Sequence, residues 1–177
     1  GDVINWFKDS KSLLVKMIPN TRKELINQAE SIPTGPTIST NNGKKAQNRT
    51  YQDLLSNPND EFNFEQLALS ELYKISLDGT TTKWKESNMY RSISFSPNGE
   101  YVMVTTVKKP FSYIVPYYRF PSTTTIYKKD NSLVNEVLNA PLLEELPKGF
   151  MATEEGRRDL SWRKDKPATL VYVEALD

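Results

Sequence analysis

The sequence predicts an all-β protein with little helix, and two kinds of observation lead to this prediction. Segments that alternate apolar and polar residues occur in pairs, and a short polar turn separates the members of each pair, as in a β-hairpin. These pairs span residues 72–84, 92–107 and 124–138. One hairpin pattern, with an aromatic residue at the end of its first segment, also occurs three times along the chain. Both observations favour several short antiparallel sheets.

The turns of the three hairpins carry the residues that tight turns need. The clearest is Pro-Asn-Gly at 97–99, between the alternating segments 92–95 and 101–107. Proline, asparagine and glycine each favour turn conformations of the backbone, and glycine tolerates a positive φ. Asp-Gly at 78–79 and the polar segment 128–132 fill the same role in the other two hairpins.

The repeated pattern places an aromatic residue at three equivalent positions. In each copy the aromatic ends one strand, a polar turn centred on Asp or Asn reverses the chain, and an apolar strand returns. Since residues that repeat in this way usually pack between structural repeats, we expect all three to be core residues. They are Trp6, Phe95 and Trp162.

The spacing of this repeat predicts part of a β-propeller, with about two blades and the start of a third. A blade usually takes about 40–50 residues, so each interval between the repeats holds one blade and an insertion. The inner hairpins are predicted near 6–15, 92–107 and 158–174, and the irregular insertions at 19–66, 108–121 and 139–157. Because propellers close with four to eight blades, we interpret 1–177 as a fragment of one propeller domain.

Signals for helix are sparse. Thr21 with Glu24 resembles a capping box in front of a short apolar segment, and Thr50 with Asp53 is compatible with a short helical turn. We therefore expect helix to be a minor part of the structure.

The composition excludes several kinds of chemistry. The 177 residues include no histidine and no cysteine, so the chain contains neither a Ser-His-Asp triad nor an ordinary zinc, haem or thiol site. We predict no catalytic residue, no metal site and no cofactor. The formal net charge of +1 gives no basic field for nucleic acid, and no apolar run is long enough to predict a membrane span.

The segment 108–121 is the first candidate for a functional surface, since it holds three prolines and five aromatic residues. Aromatic side chains beside an arginine suit contacts with peptides and carboxylates. The alternative, which we favour, is an insertion that packs across neighbouring blades through its aromatic residues. The candidate contact residues are Tyr113, Tyr117, Tyr118, Arg119 and Phe120.

Two groups of arginines are further candidates. Arg49 precedes Asp53 by four residues, and either a local ion pair or a cavity-facing anchor fits this spacing. Arg157 and Arg158, with Arg163 nearby, form a basic cluster that suits an acidic side chain of a peptide, although a solvated face is the more common fate of such clusters.

Two pairs of adjacent carboxylates contain the residue type that acid–base and metal sites use. Adjacent side chains seldom point at one target, and we therefore interpret both pairs as solvated loop charge. They are Glu144-Glu145 and Glu154-Glu155.

The segments 49–55, 110–121 and 162–175 together resemble the N-terminal propeller of glutamyl endopeptidase-like serine peptidases of the prolyl oligopeptidase family. The resemblance covers residues 6–177. In that family a propeller filters peptide access to a C-terminal α/β-hydrolase domain that carries a Ser-Asp-His triad. The present chain departs from the pattern because it has no Gly-x-Ser-x-Gly elbow and no histidine.

The resemblance therefore implies a non-catalytic propeller fragment of a serine peptidase. Its implied partners are a peptide substrate and the hydrolase domain of a parent chain, and the family's occurrence leaves an exported bacterial and a chloroplast location open. The alternative is a stand-alone propeller-type binding or scaffold module without peptidase activity, since Pro-Asn-Gly hairpins fit both. An open propeller also exposes sheet edges, so self-association through those edges is a further expectation.

Overall fold

The computed structural model describes residues 3–27, 29–30, 32, 35, 51–145 and 153–175. In these residues it contains one α-helix, one 3₁₀ turn and strands that form three antiparallel sheets, none of which closes on itself. The mostly β character predicted from the sequence is confirmed. The strands are β1 Ile4–Trp6, β2 Ser12–Met17, β3 Ser70–Ser76, β4 Thr81–Asn88, β5 Tyr90–Phe95, β6 Tyr101–Val107, β7 Ser122–Lys128, β8 Leu133–Ala140, β9 Arg158–Trp162 and β10 Leu170–Val173.

The strands follow the order of the chain within each sheet. Strands β1 to β4 form a four-stranded meander, sheet I, and β5 to β8 form a second one, sheet II. Strands β9 and β10 form a separate two-stranded sheet. We call it the third hairpin because it follows sheets I and II in the chain. The three hairpins predicted at 72–84, 92–107 and 124–138 are confirmed as β3–β4, β5–β6 and β7–β8.

The four hairpin turns inside sheets I and II have one design. In each turn a side-chain oxygen of Asp or Asn accepts a hydrogen bond from the backbone N–H two residues later, and the residue between them has a positive φ. The bonds are Asp9 to Lys11 at 2.8 Å, Asp78 to Thr80 at 2.9 Å, Asn98 to Glu100 at 3.1 Å and Asp130 to Ser132 at 2.9 Å. The residues at positive φ are Ser10, Gly79, Gly99 and Asn131.

Sheet I packs face to face on sheet II, and their shared core is fully apolar. Phe7, close behind β1, meets Phe95 of β5 edge to face, with ring centroids 4.9 Å apart. On the same interface Trp84 stands edge-on to Tyr127 at 5.8 Å, and its indole N–H donates to the carbonyl of Lys129. The buried members of this core are Phe7, Leu14, Leu72, Trp84, Val102 and Val104.

The third hairpin lies against sheet II at two points. The indole N–H of Trp162 donates to the carbonyl of Ser94 at 3.3 Å, and the N–H of Asn98 donates to the carbonyl of Pro167 at 2.9 Å. Trp162 is half-buried at this contact. The turn of the third hairpin thus contacts the Asn98 turn of sheet II, which itself lies against Lys8 in the first turn of sheet I.

The prediction that Trp6 is a core residue is wrong in this structure. Trp6 pairs with Leu13, so both side chains lie on the face of sheet I opposite to Leu14, which is buried against sheet II. On that face Trp6 is 55% exposed. Its chain neighbour Phe7 is the aromatic residue that enters the core instead. Phe95 packs against this core while partly exposed.

A helix forms in a region that the sequence predicted to be mostly part of the irregular insertion 19–66. Helix α1 spans Pro58–Ala68, with the Asn57 side chain accepting from the N–H of Asp60 and proline in its first turn. The segment with Thr21 and Glu24 is not helical. Its backbone is held by α1 instead, because the Asn63 side chain both accepts from and donates to the backbone of Ile26.

A substitution at Gly99 tests how closely the turn between β5 and β6 approaches the turn between β1 and β2. A Cβ on Gly99 would lie 2.5 Å from the Cβ of Lys8, and φ is +75°. Gly99→Ala is therefore expected to combine the cost of a left-handed side chain, about 1–2 kcal/mol, with overpacking of about 1–3 kcal/mol. Gly79→Ala is the matched control, since φ is +86° but nothing lies within 4 Å of its Cβ.

Urea unfolding of both variants measures this difference. Gly99→Ala should lower the free energy of unfolding more than Gly79→Ala does, by about the 1–3 kcal/mol that overpacking costs. Equal losses would mean that sheet I does not press against the turn of sheet II.

The turn carboxylates predict a loss of stability in acid. Hydrogen bonds to the backbone of Lys11 and Thr80 lower the pKa of Asp9 and Asp78, and bonds from the side chain and backbone of Ser132 lower the pKa of Asp130. A carboxyl whose folded pKa lies below its unfolded value of about 3.9 stabilises the fold above that pH. The free energy of unfolding should thus stay level above about pH 5 and fall below about pH 4.

Urea unfolding between pH 3 and 6 measures this, with the triple variant Asp9→Asn, Asp78→Asn, Asp130→Asn as the test. The amide keeps the acceptor oxygen, as Asn98 shows, so the acid slope should become shallower while the fold persists. Glu155→Gln, an exposed loop carboxylate, should leave the slope unchanged. An unchanged slope in the triple variant would contradict the assignment.

Candidate functional site

The aromatic residues of segment 108–121 divide into a buried set and an exposed set. Phe111 and Phe120 stack with ring centroids 5.2 Å apart, and Phe64 of helix α1 stands edge-on to both, at 5.0 and 5.6 Å. Phe120 is 3% exposed. The prediction that Phe120 contacts a peptide is wrong, because helix α1 covers its ring. These rings therefore pack inside the protein, against helix α1, and packing across neighbouring blades stays a prediction.

Tyr117 and Tyr118 form the exposed set. They lie in a 3₁₀ turn, Tyr117–Arg119, which places their rings 6.1 Å apart, and they are 54% and 49% exposed. Tyr113 is half-buried, and burial together with a hydrogen bond to Glu61 raises its pKa. Two tyrosine rings thus face solvent beside a rigid aromatic cluster.

Arg119 lies between the buried cluster and the exposed tyrosines, and its side chain is only 13% exposed. The guanidinium carbon lies 5.8 Å from the ring centre of Tyr51 and 6.0 Å from that of Tyr118. Nη1 is 3.5 Å from the Glu154 carboxylate, an ion pair too long and poorly aligned for a hydrogen bond. Both Nε and Nη1 are buried without a hydrogen-bond partner.

An unsatisfied guanidinium is costly, since hydrogen bonds to charged groups contribute about 1.5–3 kcal/mol. Arg119 is the only described arginine with unpartnered buried N–H groups. A carboxylate oriented toward Nε would match the planar geometry of the guanidinium. Among the predicted contact residues, Arg119 therefore has the strongest capacity to recognise an anion.

The loops around Arg119 are fixed by carboxylates that the sequence interpretation treated as solvated. The Ser112 hydroxyl donates to Glu144 at 2.7 Å, and Glu154 forms the ion pair with Arg119. Glu144 is nevertheless exposed, as expected of solvated loop charge. For Glu154, which is partly buried against Arg119, that interpretation is wrong. The N–H of Leu143 also donates to the Arg119 carbonyl.

The basic residues near the third hairpin do not share one target. Arg157 lies over the ring of Tyr172, 4.7 Å from its centre, and Arg158 donates to the Glu154 carbonyl at 3.0 Å. Arg163 makes a bidentate pair with Asp165. Since Arg158 and Arg163 lie at opposite ends of β9, roughly 16 Å apart at strand spacing, the predicted cluster is divided into two sites.

Arg49 lies outside the described residues, and its role stays a prediction. No group of three or more acidic side chains that could hold a metal ion occurs in the described ranges. Among these residues, no helix is both long and apolar enough to cross a membrane.

Sequence reasoning missed Tyr51, Glu154 and helix α1 as parts of the site. Asn57 followed by Pro58 and the acidic pair at 60–61 is a recognisable helix start, and it would have predicted α1. No sequence signal links Glu154 to Arg119, because the two are joined only by the fold.

Two curated relatives align with nearly the whole chain. The first, "Probable glutamyl endopeptidase, chloroplastic" from Oryza sativa subsp. japonica, is 37% identical over 177 residues, which are 99% of this chain and 19% of the relative. A protein of the same name from Arabidopsis thaliana is 36% identical over 163 residues, 92% of this chain and 17% of the relative. The chain thus spans less than a fifth of the length of the curated relatives it matches. No family model and no solved structure matches it.

Phe120→Ala tests the buried half of the site. Removing a ring that is 3% exposed and contacts Phe64 and Phe111 should cost about 3–5 kcal/mol of unfolding free energy. Tyr118→Ala, at a half-exposed ring in the same segment, is the control and should cost less than about 1 kcal/mol. Chemical denaturation distinguishes the two, and similar losses would mean that segment 108–121 does not pack as described.

Proposed function

We propose that this chain is a non-catalytic part of the β-propeller of a serine peptidase of the prolyl oligopeptidase family. In this proposal each four-stranded meander is one blade and the third hairpin is the inner half of the next. The propeller controls the access of peptides to a hydrolase domain supplied by the same parent protein.

The observation that carries the proposal is the extent of the match to relatives named as endopeptidases. Their alignment covers 99% and 92% of this chain but only 19% and 17% of the relatives. The chain contains no histidine, so a Ser-Asp-His triad has to lie in the remaining four-fifths of such a protein. A substrate-controlling role fits a segment that lacks the histidine of the triad.

The stacking of the sheets supports the propeller part of the proposal. Phe95 packs against sheet I, and Trp162, at the equivalent position, packs against sheet II. Trp6 occupies the same position in the first repeat, on the opposite face of sheet I, where it is 55% exposed. A further blade on that face would cover Trp6 as sheet I covers Phe95, and would continue the radial repetition of a propeller.

The surface we assign to peptide contact consists of Tyr117, Tyr118 and Arg119. Exposed tyrosines supply apolar area with a polar tip, and Arg119 lies behind them with buried N–H groups that lack partners. Arg158 is linked to this surface through Glu154, which contacts both Arg119 and Arg158. Acidic peptides are the substrates that this arrangement fits best.

Peptide hydrolysis by the 177-residue chain tests the first part of the proposal. A fluorogenic peptide with a glutamate before the scissile bond should not be cleaved above background, because a Ser-Asp-His triad needs a histidine and this chain contains none. Turnover that a serine-directed inhibitor abolishes would reject the proposal.

Peptide binding tests the second part. Fluorescence anisotropy of a labelled acidic peptide should show weak binding that falls severalfold in the double variant Tyr117→Ala, Tyr118→Ala. Leu133→Ala, at an exposed apolar side chain on β8, is the matched control and should bind like the wild type. Equal affinity in the double variant would remove this surface from the proposal.

The reading frame downstream of Asp177 separates the peptidase from a binding module. A Gly-x-Ser-x-Gly elbow followed by Asp and His supports the peptidase. Its absence from a complete downstream frame supports a propeller that only binds.

A further inference from the structure

A cavity of about 460 Å³ opens between β4 of sheet I and the facing strands of sheet II. It lies at the sheet–sheet interface, along β4 from Lys83 to Asn88. Its size falls within the range of small-molecule sites, about 300–1,000 Å³. The residues that define its chemistry are Lys83, Lys85, Ser87, Val104, Thr125 and Tyr127.

The two lysines of this cavity differ in how their charges are balanced. Lys83 is bound by the carboxylates of Glu71 and Glu86, each at 3.0 Å. Lys85 is partly buried, and its ammonium lies 3.9 Å from the ring centre of Tyr127. No carboxylate among the described residues pairs with it, and burial lowers its pKa. The cavity thus contains one cation whose charge only an aromatic face offsets.

Two polar atoms of the cavity lining also lack hydrogen-bond partners. Ser87 Oγ and Asn131 Oδ1 are buried without a hydrogen-bond partner. The Tyr90 hydroxyl, in contrast, donates to the Glu86 carbonyl at 2.6 Å. Buried polar groups normally have partners, and rotation of the Ser87 side chain would turn its hydroxyl toward a ligand beside Lys85.

The remaining lining of the cavity is mixed. Glu86, Asn88 and Thr125 are polar, whereas Val104 and the rings of Tyr127 and Trp84 form an apolar part. Val104 and Trp84 are already buried, so the partly exposed ring of Tyr127 is the apolar surface that a ligand would remove from water, at about 25 cal/mol for each Å² buried. The cavity therefore combines one unpaired cation with an aromatic wall.

We propose that this cavity binds a small organic carboxylate with an apolar body. The carboxylate would pair with the Lys85 ammonium and accept from Ser87, while the apolar part would lie against Val104 and Tyr127. One unpaired ammonium matches a monoanion. A phosphate dianion would require more charge-assisted donors than this cavity contains.

Binding of 4-phenylbutyrate to the 177-residue chain tests the proposal, with amide chemical shifts as the readout. We expect saturable shifts at residues of β4 and β7 that line the cavity. Affinity should fall about tenfold or more in Lys85→Met, since one charge-assisted bond contributes at least that factor. Lys128→Met, at an exposed lysine outside the cavity, is the control and should bind like the wild type.

Two further compounds determine which chemical class of ligand the cavity binds. 4-Phenylbutanol lacks the charge and should bind about tenfold more weakly than the carboxylate, and inorganic phosphate should bind more weakly than both. No saturation in the wild type up to 20 mM, or equal affinity in Lys85→Met, would overturn the proposal, as would preferred binding of phosphate. Lys85→Gln replaces Lys85→Met if the latter does not fold, which its amide spectrum reveals.

Discussion

The packing of sheet I on sheet II is the interaction on which the rest of the structure depends. Neither meander has an apolar core of its own, because a single four-stranded sheet buries side chains only when a second layer covers one face. Phe7, Leu14 and Leu72 supply the first layer, and Val102 and Val104 the second. The close approach of Gly99 to Lys8 belongs to the same interface, since the two turns meet where the sheets converge.

This packing also determines which surfaces stay open. With one face of sheet I covered by sheet II, Trp6 is left on the opposite face. The cavity beside Lys85 lies at the same interface, along β4. Segment 108–121 leaves sheet II after β6 and meets helix α1, and this second aromatic cluster holds Arg119 beside the exposed tyrosines. Each proposed contact surface thus follows from how the sheets are stacked.

Local patterns in the sequence were sufficient for the hairpins. Alternation and the turn residues at 78–79 and 97–99 predicted strands and turns that the structure contains, because hairpin register depends on interactions within a few residues. Helix α1 was missed, since its apolar residues contact segment 108–121 rather than forming a strong stripe. Trp6 was misassigned because the repeat marks the position of an aromatic residue, whereas burial also requires a covering sheet.

The sequence by itself determined the mostly β structure, the positions of the turns and the absence of histidine and cysteine chemistry. These properties are local or compositional, so they need no knowledge of long-range contacts. The tertiary structure alone decided that Phe120 is buried while Tyr118 is exposed. It also decided that Arg119 meets Glu154 and that Lys85 has no carboxylate partner among the described residues. Such pairings join residues far apart in the chain, and only the packing of sheets and loops brings them within the few ångströms at which charges interact strongly.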